Sequence, residues 1–440
     1  MKFYKIIYLL LLVFAFGCED QLELEPEQSI SGDVAVNSES NIENILIGAY
    51  DEAGQGASYG GQLQLMADLL GSGEITSWSG TFSQPREVKN KTMLADNTFV
   101  RNFWNNAYEV INQTNLVINN VGIIDSDADK KNRVEGEAKF LRALNYFDLV
   151  RHFSSGTKGV PVRTEGILDY SGDLSIARNS VSDVYSLIIS DLESAISLLP
   201  AENDFFADKY AAEALLARVQ LQQGNFAAAR DAANSVIMNS GHSLTSSFAA
   251  AFNNDADSSE DIFAFQVTSQ TGTNQLITFY ADEGNGGRGG DVTITDAYVS
   301  LFDSGDERGL FFYSSGQSGE RLTSKYTNEF ANIALIRLAE MYLIRAEANL
   351  EAGTTTGDTP LNDVNAVRAR AGAPALSSVT VADVLNERVL ELAFEGFSIH
   401  DVVRTQGSVD GFSYDAPELV MPIPQAEMDT NAQMEQNPGY

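Results

Sequence analysis

Apolar residues recur every three or four positions over much of the chain, a spacing that places their side chains on one face of an α-helix. In residues 98–121, for example, Phe103, Ala107 and Val117 fall on one stripe between polar positions. Trp104 lies inside this segment, so we expect its indole to belong to the core. The same spacing predicts helices over 133–153, 181–199, 332–352, 361–371 and 381–397.

Residues 210–241 fit the pattern of a tetratricopeptide repeat, a hairpin of two antiparallel helices. Small side chains at Ala217, Ala229 and Ala233 would let the two helices approach closely. Gly224 is placed to end the first helix of the pair, because glycine readily adopts the left-handed conformation found there. The segment therefore predicts a helical hairpin.

Two long excursions interrupt the helical pattern, at about 54–97 and 242–331, while strand-like sequence is confined to 261–268 and a few loop pieces. Loops of this length are usually functional or disordered. Both excursions carry aromatic residues among glycine and polar residues. We therefore predict a mainly α protein of helical hairpins, with little β structure and a binding face built from the two excursions.

The first residues have the pattern of a secretion signal. Within 1–17, two lysines precede an apolar run that is too short to span a bilayer stably. Cys18, the only cysteine, follows directly and resembles the lipidated cysteine of a bacterial lipobox, so no intrachain disulfide is possible. Residues 18–36 are then an acidic tether that starts at the lipidated Cys18. Ordinary secretion with a free thiol is the alternative.

Charge and composition limit the partners. The chain has 28 Lys and Arg against 61 Asp and Glu, a net charge of -33, which would repel nucleic acid and anionic membrane surfaces. His152, His242 and His400 are far apart in the sequence and show no zinc-ligand spacing. We therefore expect no nucleic-acid partner, no metal and no cofactor, whereas neutral ligands remain compatible with the charge.

An acidic loop superficially resembles a calcium site. Asp125, Asp127 and Asp129 have the spacing that begins an EF-hand loop. Lys130 stands at position six instead of glycine, and Gly136 stands at position twelve instead of a bidentate glutamate. We interpret this stretch as a loop that caps the next helix.

Five segments, in this order, resemble the SusD/RagB family of outer-membrane lipoproteins. They are EAKFLRALNYFDLVR (137–151), IRLAEMYLIRAEANLEAG (336–353), LNDVNAVRARAGAP (361–374), VLNERVLELAFEGF (384–397) and LVMPIPQAEMDTNAQMEQNPGY (419–440). The stretch 397–401 departs from the family, which usually has a His/Arg–aromatic pair before the aspartate, and many members are longer. These departures concern trimmed loops and not the fold.

The resemblance implies one domain over 37–440, an α-superhelix of four tetratricopeptide-like hairpins with long loop insertions. It implies a non-catalytic lipoprotein on the cell surface, anchored in the outer membrane through Cys18, that captures a glycan. It also implies a SusC-like TonB-dependent transporter as partner, over which the protein sits as a hinged lid. Charged residues of the matched motifs are interpreted as ion pairs and caps: Glu137, Arg142, Arg345, Glu347, Arg368, Arg370, Glu387, Arg388, Glu391 and Glu395.

In this family the glycan site lies on loops and is lined by aromatic residues, which bury the apolar face of a sugar ring while polar side chains bind its hydroxyl groups. Trp78 in the first excursion and Tyr280 in the second are the expected platforms, with Phe279 and Phe82 beside them. The candidate polar rim comprises Asp68, Glu74, Gln84, Arg86, Asn285 and Arg288.

The ligand is expected to be a neutral polysaccharide or oligosaccharide, with a β-glucan such as laminarin ahead of starch and fructan. A lid that binds another nutrient, including a peptide, is the alternative. A peptide-binding repeat adaptor is disfavoured, because such grooves bind acidic tails through basic residues. A glycoside hydrolase is the remote alternative, since it needs two close carboxyl groups, one of them with a raised pKa.

Overall fold

The computed structural model describes residues 36–268, 272 and 274–440. The signal peptide at 1–17, the lipidation site Cys18 and nearly all of the tether lie outside the described residues, so those expectations remain predictions.

Helices dominate the described chain. The part of the chain before the second excursion holds α1 (Glu39–Ala53), α2 (Gln62–Gly71), α3 (Ser83–Asn90), α4 (Thr98–Asn120), α5 (Ala128–Phe153), α6 (Val181–Leu198), α7 (Lys209–Gln222) and α8 (Phe226–Asn239). The remainder holds α9 (Gln275–Tyr280), α10 (Asp296–Val299), α11 (Leu338–Ala352), α12 (Pro360–Arg370), α13 (Val381–Leu392), α14 (Ser398–Arg404) and α15 (Gln425–Thr430). This confirms the mainly α fold.

The strands are short and pair in twos, all antiparallel. The pairs are β1 (Thr76–Trp78) with β3 (Val292–Ile294), β2 (Asp261–Phe265) with β6 (Ile333–Arg337), β4 (Phe312–Ser314) with β5 (Arg321–Thr323), and β7 (Ser408–Val409) with β8 (Phe412–Ser413). Three of the four pairs found in the described residues include strands of the second excursion.

The scaffold is a succession of packed helical hairpins, in which α4 packs on α5, α5 on α6, and α7 on α8. In the α7–α8 hairpin, Ala217, Ala229 and Ala233 are fully buried, and Gly224 at the turn has a φ of 72°. The tetratricopeptide-like pattern is therefore confirmed for this pair. Trp104 is only 2% exposed, which confirms that it belongs to the core.

Polar side chains cap the first turns of several helices. Asp127 accepts hydrogen bonds from the backbone N–H groups of Asp129 and Lys130, so the acidic loop caps α5 as expected. Ser180 and Asp183 form a reciprocal capping box at the start of α6. These bonds satisfy N–H groups that have no partner within the helix.

Two predicted helices are shorter than expected. Residues 333–337 of the helix predicted over 332–352 form β6, because β2 from the second excursion offers a strand partner that periodicity does not reveal. The helix predicted over 381–397 ends at Leu392. There Lys325 donates to the carbonyl oxygens of Glu391 and Ala393, both at 2.9 Å, so these oxygens bond to the excursion and not to a further helical turn.

A buried ion-pair network joins the second excursion to the last helices. Glu391 accepts from Arg337 at 3.0 Å, from Arg308 at 3.4 Å and from Arg370. Arg337 also binds Glu395 at 2.8 Å. The other charged motif residues likewise lie in ion pairs, which confirms their predicted structural role: Glu137, Arg142, Arg345, Glu347, Arg368, Glu387 and Arg388.

Glu391→Gln should strongly destabilise the fold, since the substitution leaves three buried guanidinium groups around a neutral amide. Breaking a buried ion pair by removing one partner costs about 3–5 kcal/mol. Urea unfolding followed by circular dichroism measures this loss.

Glu435→Gln is the matched control. Glu435 pairs with Lys158 at the surface, where their side chains are 66% and 53% exposed, and such pairs contribute little. We expect its urea midpoint to equal that of the unaltered protein, and equal midpoints for both variants would contradict the role given to the buried network.

Two buried histidines should make stability depend on pH. The rings of His152 and His400 lie 4.6 Å apart, edge to face. Burial lowers the pKa of His152 to about 4, and burial together with Arg151 lowers that of His400 well below its ordinary value.

Between about pH 6.5 and pH 4 the unfolded chain therefore binds protons that the folded protein refuses, so stability falls as pH falls. From pH 7 to pH 5 the unaltered protein should lose stability relative to His400→Gln, because only the unaltered protein must keep this second imidazole neutral. Urea titrations of both proteins at the two pH values measure the difference, and a constant difference would mean that His400 titrates normally.

Candidate functional site

The two excursions meet at a short antiparallel pair. In the β1–β3 pair, Thr76 lies opposite Ile294 and Trp78 opposite Val292. The backbone N–H of Ser79 donates to the carbonyl of Asp291 at 2.8 Å and extends the contact. Aromatic residues that are some 200 positions apart in sequence are thereby brought together.

An aromatic cluster forms around Phe279. The ring centroid of Phe279 lies 6.1 Å from that of Trp78, 6.4 Å from Phe82 and 5.9 Å from Phe99. Phe279 is only 2% exposed, whereas Phe82 is 41% exposed and Trp78 is half-buried. Phe279 therefore supports the surface from beneath. The expectation that it contacts the ligand directly is corrected, because the ring is buried.

Arg288 completes this surface. Its guanidinium carbon lies 3.9 Å from the centroid of the Phe82 ring, a cation–π distance. It also donates to the hydroxyl of Thr81 at 2.9 Å and pairs with Asp291 at 3.2 Å. We call Trp78, Phe82 and Arg288 the aromatic platform, because they place two partly exposed rings beside a fixed hydrogen-bond donor.

The turn that follows β1 fixes the indole of Trp78. Its N–H donates to the carbonyl of Phe82 at 3.2 Å, which closes the loop over Gly80. A Cβ atom at Gly80 would lie 2.5 Å from Cζ2 of Trp78, so only glycine lets the ring lie there. Arg86 donates to the Gly80 carbonyl at 2.6 Å from α3. The loop that carries Trp78 therefore shields part of its own indole ring from solvent.

Tyr280 and Asp68 are not surface residues, which corrects their assignment to the sugar site. Tyr280 is fully buried and Asp68 is 1% exposed. The carboxylate of Asp68 accepts from the Gly396 backbone and the Ser398 hydroxyl, both at 3.0 Å, and lies 3.4 Å from the Tyr280 hydroxyl. Burial raises the pKa of Asp68 to about 7. Both residues join α2 and α9 to the turn before α14.

The other predicted rim residues lie at or near the surface. Glu74 and Arg86 are exposed, while Gln84 and Asn285 are half-buried. The amide of Asn285 donates to the carboxylate of Asp282 at 3.0 Å and shapes its own loop. Their contact with a ligand remains a prediction.

One group of potential metal ligands occurs within the described residues, formed by Asp148, His152 and His400, whose ligand atoms lie within 4.8 Å of one another. The sequence does not predict this group, because the two histidines are far apart along the chain. Asp148 already accepts from Tyr59 at 2.8 Å and from Arg151. Since its carboxylate oxygens are both engaged and an arginine adjoins it, the group does not suit a dication.

Phe99 is the site residue that sequence analysis missed. It lies in the first turn of α4, a segment in which the apolar spacing predicts only a scaffold helix, yet its ring supports both Phe279 and Phe82. No helix of the described part of the chain has the length and apolar character needed to cross a membrane.

Two sequence models of protein families match the chain. One, described as starch-binding associating with the outer membrane, matches residues 20–221, and the other, described as the SusD family, matches 312–418. SusD-like protein P2 of Formosa agariphila is 27% identical over the whole of both chains. The starch-binding protein SusD of Bacteroides thetaiotaomicron is 29% identical, over 42% of this chain and 36% of that protein.

Solved structures show the same fold. A SusD superfamily protein from Bacteroides thetaiotaomicron has a TM-score of 0.82 at 25% identity, covering 91% of this chain and 100% of that one. A putative sugar-binding protein from Bacteroides vulgatus has a TM-score of 0.82 at 26% identity, covering 92% and 99%. The family models together match more than half of the chain, and the chain belongs to the SusD family. Residues 222–311 lie between the matched segments and hold Phe279 and Arg288.

Gly80→Ala should displace the indole of Trp78, because the added Cβ would also lie 2.6 Å from Cγ of Asp291. The freed ring would meet more water, so tryptophan emission should shift to longer wavelength. Gly122→Ala is the control, since a Cβ there meets no atom within 4 Å. Identical emission spectra for both variants would contradict the fixed position of Trp78.

Proposed function

We propose that this chain captures a neutral glycan at the cell surface and delivers it to a SusC-like TonB-dependent transporter of the outer membrane. The aromatic platform is the observation that carries the proposal. Trp78 and Phe82 offer partly exposed rings to the C–H face of a sugar, and Arg288 offers donors to its hydroxyl groups.

The charge of the chain favours a neutral ligand. A net charge of -33 disfavours carboxylated or sulfated glycans. A β-glucan such as laminarin is the first ligand to test, followed by starch, which is named in the family description, and by fructan. The platform lies partly in residues 222–311, outside both family matches, so a relative's ligand cannot be assigned to it.

The expected affinity is modest. A stacked aromatic ring contributes on the order of 1 kcal/mol, and association costs translational freedom and side-chain order. Two such rings suggest a dissociation constant roughly in the micromolar-to-millimolar range. Weak binding suits a protein that must release its ligand to a transporter.

Lipidation of Cys18 and the acidic tether belong to the same proposal, since capture at the surface requires an anchor.

Catalysis is not part of the proposal. Burial raises the pKa of Asp68 to about 7 and those of Asp208 and Asp261 to about 6. Among the described residues these acids serve as a link between elements, a helix cap and part of a strand, and none belongs to the platform.

Trp78→Ala should weaken binding of the recognised glycan about tenfold or more, because it removes the largest ring of the platform. Isothermal titration calorimetry of the mature, unlipidated protein against laminarin, soluble starch and inulin measures the effect.

Phe205→Ala is the matched control, since Phe205 is a 53% exposed aromatic residue outside the platform. It should bind as the unaltered protein does. Unchanged binding by a correctly folded Trp78→Ala protein, or no binding of any glycan, would overturn the proposed platform.

A further inference from the structure

A second cleft lies on α4, away from the platform. It has a volume of about 480 Å³ and is enclosed by α4, the segment 161–176 and α15. This volume falls within the usual range of ligand sites. Unlike the platform, it uses no residue of the second excursion.

Two neighbouring stripes of α4 form the floor of the cleft. Trp104 and Tyr108 are four residues apart, and their ring centroids lie 4.9 Å apart. Asn105 and Glu109 make a parallel stripe of one amide and one carboxylate, both exposed. Residues four apart share one face of a helix, so an aromatic strip lies directly beside a polar strip.

The opposite wall is held in place by hydrogen bonds. Asn112, one turn beyond Tyr108, donates to the hydroxyl of Tyr170 at 2.8 Å and exchanges two bonds with the Ile167 backbone. Asn431 likewise exchanges two bonds with the Ile176 backbone. Tyr170 is thus 61% exposed and yet tethered, and the cleft exists before any ligand arrives.

An unpartnered donor also lines the cleft. Trp104 is 2% exposed, and no described residue accepts from its indole N–H. The N–H itself is reached by solvent. A ligand hydroxyl in the cleft would accept from it.

We propose that this cleft is a second saccharide site, which takes a short neutral oligosaccharide. Tyr108, Tyr170 and the Trp104 edge would contact the C–H faces of sugar rings, while Asn105 and Glu109 accept from hydroxyl groups. Its ionised side chains are Glu109, Asp173, Glu427 and Arg163, an acidic excess that disfavours anionic ligands. This site goes beyond the proposed function and does not rest on the platform.

The two tryptophans allow each site to be observed separately, because the chain has only Trp78 and Trp104. In Trp78→Phe, the emission of Trp104 should change saturably with laminarihexaose or maltohexaose. Adding Tyr170→Ala should raise the concentration needed about tenfold, and adding Asn105→Ala should raise it several-fold. Adding Phe205→Ala, the matched control, should change nothing.

The proposal is overturned if no hexasaccharide alters Trp104 emission at millimolar concentration, or if the Tyr170 and Asn105 substitutions leave the response unchanged. A response to spermidine but not to the sugars would also overturn it. If Trp104 emission does not respond to sugar while calorimetry shows binding that depends on Trp78, the cleft is not a saccharide site and the platform is. If Trp104 emission responds to sugar while calorimetry shows no binding that depends on Trp78, the platform is not a saccharide site and the cleft is.

Discussion

The carboxylate of Glu391 is the point on which the described structure depends most. It is fully buried, and although burial opposes its charge, Arg370, Arg337 and Arg308 hold its pKa below the ordinary value. Those arginines come from α12, the end of β6 and the second excursion. Because each charge is desolvated, none can be left without its partners at low cost. The network therefore fixes the excursion on α13 in one arrangement.

Contacts between the excursions and the last helices also determine the geometry of the platform. Lys325 and Tyr326 donate to carbonyl oxygens at and just after the end of α13, and Asp68 accepts from Gly396 and Ser398 in the segment that follows. The second excursion is thus tied to the scaffold beyond α9, which carries Phe279, and α2, on which α9 packs, is tied to the same part of the scaffold. A ring surface held this way loses little freedom when it binds a ligand, which is an advantage where each contact is weak.

Local periodicity predicts what local forces decide. The helices, the α7–α8 hairpin, the burial of Trp104 and the cap at Asp127 all follow from spacing and from side-chain chemistry within a few residues. The conversion of 333–337 into a strand does not, since its partner β2 lies some 70 residues away. Phe279 and Tyr280 are adjacent aromatic residues in a glycine-rich excursion, and nothing local says that both are buried. Tyr280 lies against Asp68 of α2, on which α9 packs, and Phe279 lies against aromatic residues of the first excursion and α4, all distant in the sequence.

Helix α4 connects the two proposed sites. Phe99 supports the platform and Trp104 lines the cleft, five residues later, which places them about 140° apart around the helix axis. A short sugar can occupy one site at a time and leaves either readily. A glycan chain long enough to reach both would bind the second site intramolecularly, at a high effective concentration, and so bind more tightly than either site allows. Two weak sites on one rigid helix would therefore retain long glycans and still release each segment to a transporter.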